Sequence, residues 1–341
     1  MINVSKPSIT DLEKQYIESA VNNADIGVGP FVDRFEKAWA SYNKQDYGVA
    51  CNSGTNAIFL ALKALGIKEG DEVIVPEFTM IATAWAVSYT GATPVFADCL
   101  SDLTVDSHEV RKLINKNTKA IIAVPIYGRS VSQDVYNIAK EFNLKVIEDM
   151  AEGHGIKPRG DVACYSFYGN KILTTGEGGM CLTDDVVLAQ EIKSLANMYF
   201  DKDRTMIHPK IGYNFRMTNI QASLGLAQVE RCDEILSKRD IIANWYNEKI
   251  PTQFIMPERD VVWVYDIDCG TRQQEIKEKL HEMGVESRYF FKPMSMQPMY
   301  KDDYQQLEAY QWSKRGLYLP CYPDMTEEDV DYIAKCLISL S

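Results

Sequence analysis

The chain has no surplus of basic residues. Its 341 residues carry 36 Lys and Arg against 48 Asp and Glu, a net charge of −12 at neutral pH. Extended anionic partners, whether nucleic acid or an acidic membrane, are disfavoured, because binding them needs cations that displace counterions. A few local donors can still hold a single phosphate on an acidic chain. Cysteine pairs in metal-binding or redox spacing are also missing. The eight cysteines are scattered and none forms a C-x-x-C pair, so neither a disulfide framework nor a zinc site is expected. Reduced thiols in a cytoplasmic protein, without a bound metal, are the simpler expectation. No apolar run approaches the length of a membrane-spanning helix. Residues 1–16 lack an apolar stretch behind a basic cap, so no secretory leader is expected. Internal repeats and low-complexity segments are absent too. What remains, with 46% hydrophobic and 25% charged residues, has the mix of a soluble globular protein. At this length it suits a large domain with a smaller partner.

Short apolar runs alternate with helical patterns from about Tyr47 to Thr183, which predicts an α/β domain with a mostly parallel sheet and helices on both faces. Strands are expected over 48–51, 72–76, 93–98, 119–124, 145–148, 163–167 and 179–183. Helical spacing over 56–65 stops at Gly66, that over 83–89 stops near Gly91, and a third helix covers 132–143. A long amphipathic helix, with room for a bend, is expected from Asn219 to about Lys249, where Pro251 ends it. The division falls there: residues 1–250 form a large domain and 251–341 a smaller α+β domain. The latter reads as strand over 261–269, helix over 271–283, strand over 285–289 and a last helix over 327–340. Thr326 is placed to cap that helix, with Asp329 three residues on.

Three segments carry candidate chemistry. The first is Cys51-Asn52-Ser53-Gly54-Thr55-Asn56, a strand, a small polar turn and a helix start. Unpaired N–H groups and the helix dipole favour an anion there, and the plainer alternative is an N-cap beside a turn glycine. The second is Val146-Ile147-Glu148-Asp149, two acids at the end of an apolar strand, where sheet enzymes place ligands. A buried carboxylate needs a partner. A protonated pyridine nitrogen would serve, although Asp149 as a helix cap explains the same letters. The third runs from Tyr165 to Met180, YSFYGNKILTTGEGGM, and places Lys171 after a strand and before a glycine-rich turn. Such an amine can form an imine, release it and move a proton. A surface lysine in a tight hairpin is the ordinary reading. Taken together, the three meet the demands of a pyridoxal-phosphate (PLP) site: hold a phosphate, protonate a ring nitrogen and supply an imine lysine.

With these residues in view, the chain resembles the sugar aminotransferases of the DegT/DnrJ/EryC1/StrS family, and within it the perosamine synthase-like 4-aminotransferases. The match lies in 51–57, GDEVIVP at 70–76, GATPVFAD at 91–98, VIEDMAEGHG at 146–155, the lysine segment, and IGYNFRMTNIQASLGLAQVE at 211–230. It covers nearly the whole chain and is weakest after about Pro251. The resemblance implies the fold-type I PLP architecture. It implies that Lys171 forms the Schiff base, that Asp149 pairs with the pyridine nitrogen, and that Gly54, Thr55 and Ser166 hold the phosphate. Asn214 is implied to reach the phosphate of the neighbouring subunit, making a homodimer the working unit. Glu152 is implied to lie near the cofactor, and glutamate there resembles the 4-keto branch. Related dehydratases carry histidine in place of the lysine, so Lys171 favours amino transfer. The implied reaction moves an amino group from L-glutamate to C4 of a nucleotide-linked 4-keto-6-deoxy sugar.

Some positions depart from the family. Met80 stands where an aromatic residue often stacks on the cofactor, and a thioether can pack there. The stretch 155–161 is several residues shorter than usual. Around Arg288 a histidine-containing pattern is replaced by SRYFFKPMSMQPMY. Arg288 and Tyr289 remain candidates for a diphosphate or sugar, with a structural Tyr289 as the alternative. His208 is a candidate to approach the substrate from the partner subunit. His154 follows the acidic strand, and a structural role is expected for it ahead of a catalytic one. His108 and His281 read as exposed. Three rival readings share parts of this pattern: a 3-keto sugar aminotransferase, a non-catalytic relative of the fold, and a nicotinamide-dependent dehydrogenase, which lacks its G-x-G-x-x-G turn.

Overall fold

The computed structural model describes residues 1–341 except Lys202, Arg204 and Ser341. Two helices, α1 (Asp11–Asn22) and α2 (Pro30–Tyr42), precede a seven-stranded sheet. Its strands are β1 (Tyr47–Cys51), β2 (Glu72–Pro76), β3 (Thr93–Ala97), β4 (Thr118–Ala123), β5 (Lys145–Asp149), β6 (Val162–Ser166) and β7 (Gly179–Thr183). The spatial order is β1-β7-β6-β5-β4-β2-β3, and only β7 runs antiparallel to its neighbours. Each strand matches an expected one to within a residue or two. They were legible because β5, β6 and β7 are buried almost end to end and so read as continuous apolar runs.

Helices cover both faces of the sheet. On one face α3 (Gly54–Ala64), α4 (Ile81–Tyr89) and α7 (Val186–Ala196) pack on Val49, Cys51, Val73, Val75, Ile122, Ile147 and Cys164. On the other face α5 (Ser107–Leu113) and α6 (Gln133–Glu141) cover Ile74, Ile121 and Val146, while α2 and α8 (Asn219–Glu230) cover Ala163, Tyr165 and Leu182. Odd and even strand positions thus part to opposite cores, as the pleat requires. Each fully buried Leu or Ile contributes about 1.5–3 kcal/mol relative to exposure.

The helix expected over 219–249 is two. After α8 the chain leaves helical geometry at Arg231 (φ −109°, ψ 10°) and resumes as α9 (Cys232–Lys249). The guanidinium of Arg231 reaches the buried carboxylate of Glu13 on α1 at 2.6 Å and Glu234 at 3.1 Å. This tertiary ion pair sits at the break, which no local propensity announces.

The C-terminal part holds a three-stranded antiparallel sheet, ordered β8 (Tyr265–Asp268), β10 (Gly316–Leu319), β9 (Arg288–Tyr289). Helices α10 (Gln273–Glu282), α11 (Glu308–Ser313) and α12 (Glu327–Ile338) complete it. Both strands expected here are shorter than the apolar runs suggested, and β10 was not expected at all; it has only four residues. The core of this sheet draws on Ile242, Ala243 and Tyr246 of α9, with the Tyr246 and Tyr265 rings stacked at 4.4 Å. The N-terminus also belongs to it, because Ile2 bridges Val285 and the Val4 N–H donates to Glu286. Thr326 caps α12 in a capping box with Asp329, as expected. Among the described residues no helix is long and apolar enough to cross a membrane. All eight cysteines are buried and free.

Candidate active site

At the C-terminal ends of β5 and β6 lies a cavity of about 400 Å³. Gly54, Thr55, Met80, Asp149, Ser166, Lys171 and Arg288 line it, so residues expected from separate segments meet there. Its far wall is made of Trp263, Phe291 and Tyr318, none of which the motifs indicated.

The floor is the first turn of α3. Ser53 caps the helix by accepting the Asn56 N–H at 3.2 Å. The N–H groups of Gly54 and Thr55 have no intramolecular partner among the described residues, as the first turn of a helix dictates. Gly54 is obligatory for packing: a Cβ there would lie 2.6 Å from Cβ of Ser166. Helix start and strand end thus close on each other, and Ser166 is brought beside the unpaired N–H groups. The arrangement suits a phosphate.

Asp149 ends β5 and is buried. The Thr83 hydroxyl donates to its Oδ2 at 2.7 Å, and the Ala151 N–H to its Oδ1 at 3.2 Å. Burial outweighs these bonds and pushes its pKa up, with Lys171 opposing. A buried carboxylate still short of a full countercharge fits a cationic ring nitrogen. Its neighbour Glu148 points to the opposite face, where it accepts from Tyr136, Arg159 and Gly160. That second acid anchors the short 155–161 stretch.

Lys171 follows β6 in a turn closed by its own N–H to Tyr168 O at 2.9 Å. Burial lowers the pKa of its amine, and Glu152 and Asp149 partly restore it. A fraction of neutral amine is what a nucleophile needs. Glu152 is buried and stands behind the cavity wall rather than lining it. It accepts the Tyr127 N–H at 2.8 Å, and burial lifts its pKa to about 7 against the pull of Lys171. Tyr127 itself holds left-handed backbone (φ 48°, ψ 33°), a conformation that the Glu152 bond and the surrounding aromatics over-determine.

Not every candidate arrives. Tyr289 follows Arg288 in β9, so the pleat turns its ring away; it lies over Lys277 and Lys292 and does not line the cavity. His208 and Asn214 are exposed and also lie off the cavity of their own chain. His208 bonds Met198 O through Nδ1 at 2.7 Å, and Asn214 bridges Asn197. Met80, just before α4, reaches the cavity and is 47% exposed.

His154 is buried and engaged at both ring nitrogens. Nδ1 accepts the Leu173 N–H at 3.3 Å, which leaves Nε2 to donate to Ser166 O at 3.0 Å. It staples the lysine turn to β6, and burial drives its pKa down to about 3. Such a group makes the fold acid-sensitive. On acidification the unfolded chain takes up a proton near the ordinary value of 6.5, well before the folded one. Stability present above that pH is therefore lost toward pH 3, at about 1.4 kcal/mol per pH unit. Glu152 acts in the opposite sense between 4.5 and about 7, since its folded pKa is raised. In cofactor-free protein, the stability difference between wild type and His154→Gln is expected to grow with pH by that slope between pH 4.5 and 6.5. Urea melts at several pH values measure it, and a pH-independent difference refutes the assignment.

Comparison with known proteins agrees with this geometry. The model of the DegT/DnrJ/EryC1/StrS aminotransferase family matches residues 7–338. A GDP-perosamine synthase of Caulobacter vibrioides is 40% identical, over 98% of this chain and 97% of its own length. Helicobacter pylori PseC, an aminotransferase of pseudoaminic acid biosynthesis, superposes with a TM-score of 0.92 at 26% identity, covering 98% of each chain. NtdA of Bacillus subtilis, solved with bound cofactor PMP, gives 0.89 at 29% identity, over 97% of this chain and 82% of its own. With Lys171, Asp149 and the α3 turn on one cavity, the chain belongs to the DegT/DnrJ/EryC1/StrS aminotransferase family.

Proposed function

We propose that the protein transfers an amino group from L-glutamate to C4 of a nucleotide-linked 4-keto-6-deoxy sugar, giving a perosamine- or viosamine-type product. The observation that carries the reading is the convergence of a lysine amine, a buried carboxylate and an unpaired helix start on one cavity. The 40% identity to a GDP-perosamine synthase supports the sugar class. The cofactor is pyridoxal 5′-phosphate, which when bound supplies an electron sink for the reacting carbon. The Gly54 and Thr55 N–H groups and the Ser166 hydroxyl bind its phosphate. Asp149 holds the proton at the ring nitrogen, and Met80 covers the ring. Lys171 takes the proton from the donor's reacting carbon and later returns one at the sugar. Glu152 sets the charge around Lys171 from behind the wall, and Arg288 is the substrate contact on the C-terminal side.

The working unit is a homodimer in which Asn214 serves the neighbouring subunit's phosphate site and His208 its substrate. The segment carrying both is unusually apolar for a surface: Met206, Ile207 and Ile211 are 73%, 64% and 85% exposed. Exposed aliphatics in one region favour a protein partner. Residues 1–250 act as the cofactor-binding unit and 251–341 as the smaller one, in the cytoplasm, where the eight buried thiols stay reduced.

The decisive assay offers nucleotide-linked 4-keto and 3-keto sugars with L-glutamate and locates the new amine by NMR. Amination at C3 alone would favour the 3-keto alternative, and no turnover with any acceptor would favour a non-catalytic role. Subunit sharing has its own test. Lys171→Ala and Asn214→Ala are each expected to be nearly inactive. After mixing and reassociation they should recover roughly a quarter of wild-type activity, since half the dimers are mixed and each has one intact site. No recovery despite confirmed subunit exchange rules sharing out.

A further inference from the structure

Trp263 stands in the cavity wall directly against the reacting amine. Lys171 Nζ lies 4.0 Å from the centre of its ring, within the range of a cation–π contact. The indole N–H also donates to Asn170 O at 2.8 Å, the carbonyl immediately before the lysine. The ring therefore holds the Lys171 turn twice, once by its backbone and once by its side chain.

The tryptophan is itself fixed from several sides. Its carbonyl accepts from Arg239 at 2.8 Å, and the same guanidinium nitrogen donates to Cys321 O at 2.8 Å. Arg239 is fully buried, and its Nε has no partner among the described residues. A buried cation without a carboxylate is an expensive way to tie two carbonyls together. Three and two residues upstream, the N–H groups of Asp260 and Val261 both donate to Gly128 O, at 3.0 and 3.1 Å. Gly128 has φ +80°, and a Cβ there would lie 1.9 Å from Val261 O. Tyr127 packs on the indole with ring centres 6.1 Å apart. A buried pair joins Arg129 to Asp266 at 2.8 Å, beyond the tryptophan.

We infer that Trp263 is a positioning residue for Lys171. Its ring face receives the amine while the amine is free, and its N–H fixes the backbone from which the amine swings. The inference rests on the imine role proposed for Lys171. A lysine that must release its carbon partner and then move a proton has a flexible four-carbon stem in a cavity with room to wander. An aromatic face beside the amine shortens that search and keeps water off it, and small misplacements of such a group are kinetically severe.

The test uses the PLP-loaded protein with Trp263→Leu, which removes both contacts, and Trp263→Phe, which keeps a ring face. Borohydride fixation and peptide mapping first ask whether cofactor is attached to Lys171. The donor half-reaction is then followed with L-glutamate and with its α-deuterated form. Trp263→Leu is expected to keep the Lys171 label. Its donor half-reaction should slow roughly a hundredfold, with a larger deuterium effect than wild type because proton movement has become limiting. Trp263→Phe should recover most of the rate and return the isotope effect toward wild type. The inference is overturned by an unchanged rate and isotope effect in Trp263→Leu. Equal defects in both variants, or loss of the label in both, also overturn it by leaving the ring a purely structural part. A wild type without a label at Lys171 overturns the parent reading instead, and this inference with it.

Discussion

Replacing Lys171 by alanine is expected to lower turnover at least about 10⁴-fold and to abolish the borohydride-fixed link between chain and cofactor. The size follows from the two jobs one amine performs. In the proposed reaction it is the nucleophile that holds the cofactor and also the base that moves the proton at the reacting carbon. Groups that act twice lose more than a single contact is worth when removed. The substitution should leave the phosphate turn intact, because Gly54, Thr55 and Ser166 are organised by α3 and β6 and not by the lysine. Cofactor should still bind, reversibly. The electrostatic effect has a definite sign as well. Lys171 opposes the upward pKa shifts of Asp149 and Glu152, so both acids should hold their protons to higher pH in the variant. Equilibrium dialysis with PLP, mass analysis after borohydride and infrared titration of the carboxyl groups measure these three outcomes. A variant that keeps more than a hundredth of wild-type turnover would place the base elsewhere.

Much of this site was written locally. The α3 turn, the end of β5 and the lysine segment are each a few contiguous residues at the end of a buried strand, and buried strands declare themselves as apolar runs. What lay out of reach was tertiary. Trp263 lies ninety-three residues from the carbonyl it binds, inside VVWVYDIDC, where it reads as one more core residue of a strand. Tyr318 arrives on β10, whose four residues are too few to show a period. Arg239 reads as the exposed cation of an amphipathic helix, yet it is buried. Glu152 was placed near the cofactor by resemblance; that it stands behind the wall, accepting the Tyr127 N–H, goes with the left-handed turn at Tyr127, which no residue preference foretells. Tyr289 shows the converse. Its proximity to Arg288 in sequence suggested a shared role, and the strand pleat sends the two to opposite sides.

Asp149→Asn is expected to act in opposite directions on the empty and the loaded protein. Without cofactor, Asp149 is a buried carboxylate whose pKa burial raises. Its ionised form therefore opposes folding, and the penalty grows as pH rises from its ordinary value of 3.8 toward the higher folded value. An asparagine keeps an acceptor for one of the two bonds from Thr83 and Ala151 and forfeits the other, a loss of about 1 kcal/mol. It escapes ionisation entirely. Relative to wild type, the empty variant should thus gain stability as pH rises above 3.8, until the raised folded pKa of Asp149 is passed. With PLP present the order reverses. A neutral amide cannot hold a proton on the ring nitrogen, so the ring loses the charge that makes it an electron sink. Turnover should fall about 10²–10³-fold, and the stabilisation that ligand binding confers should shrink with the weaker affinity. Urea melts at pH 4 and 7, each with and without PLP, resolve the four corners of this comparison. If the substitution weakens the empty protein more at pH 7 than at pH 4, Asp149 is a structural anchor whose ionised form the fold prefers. The ring nitrogen would then need another partner.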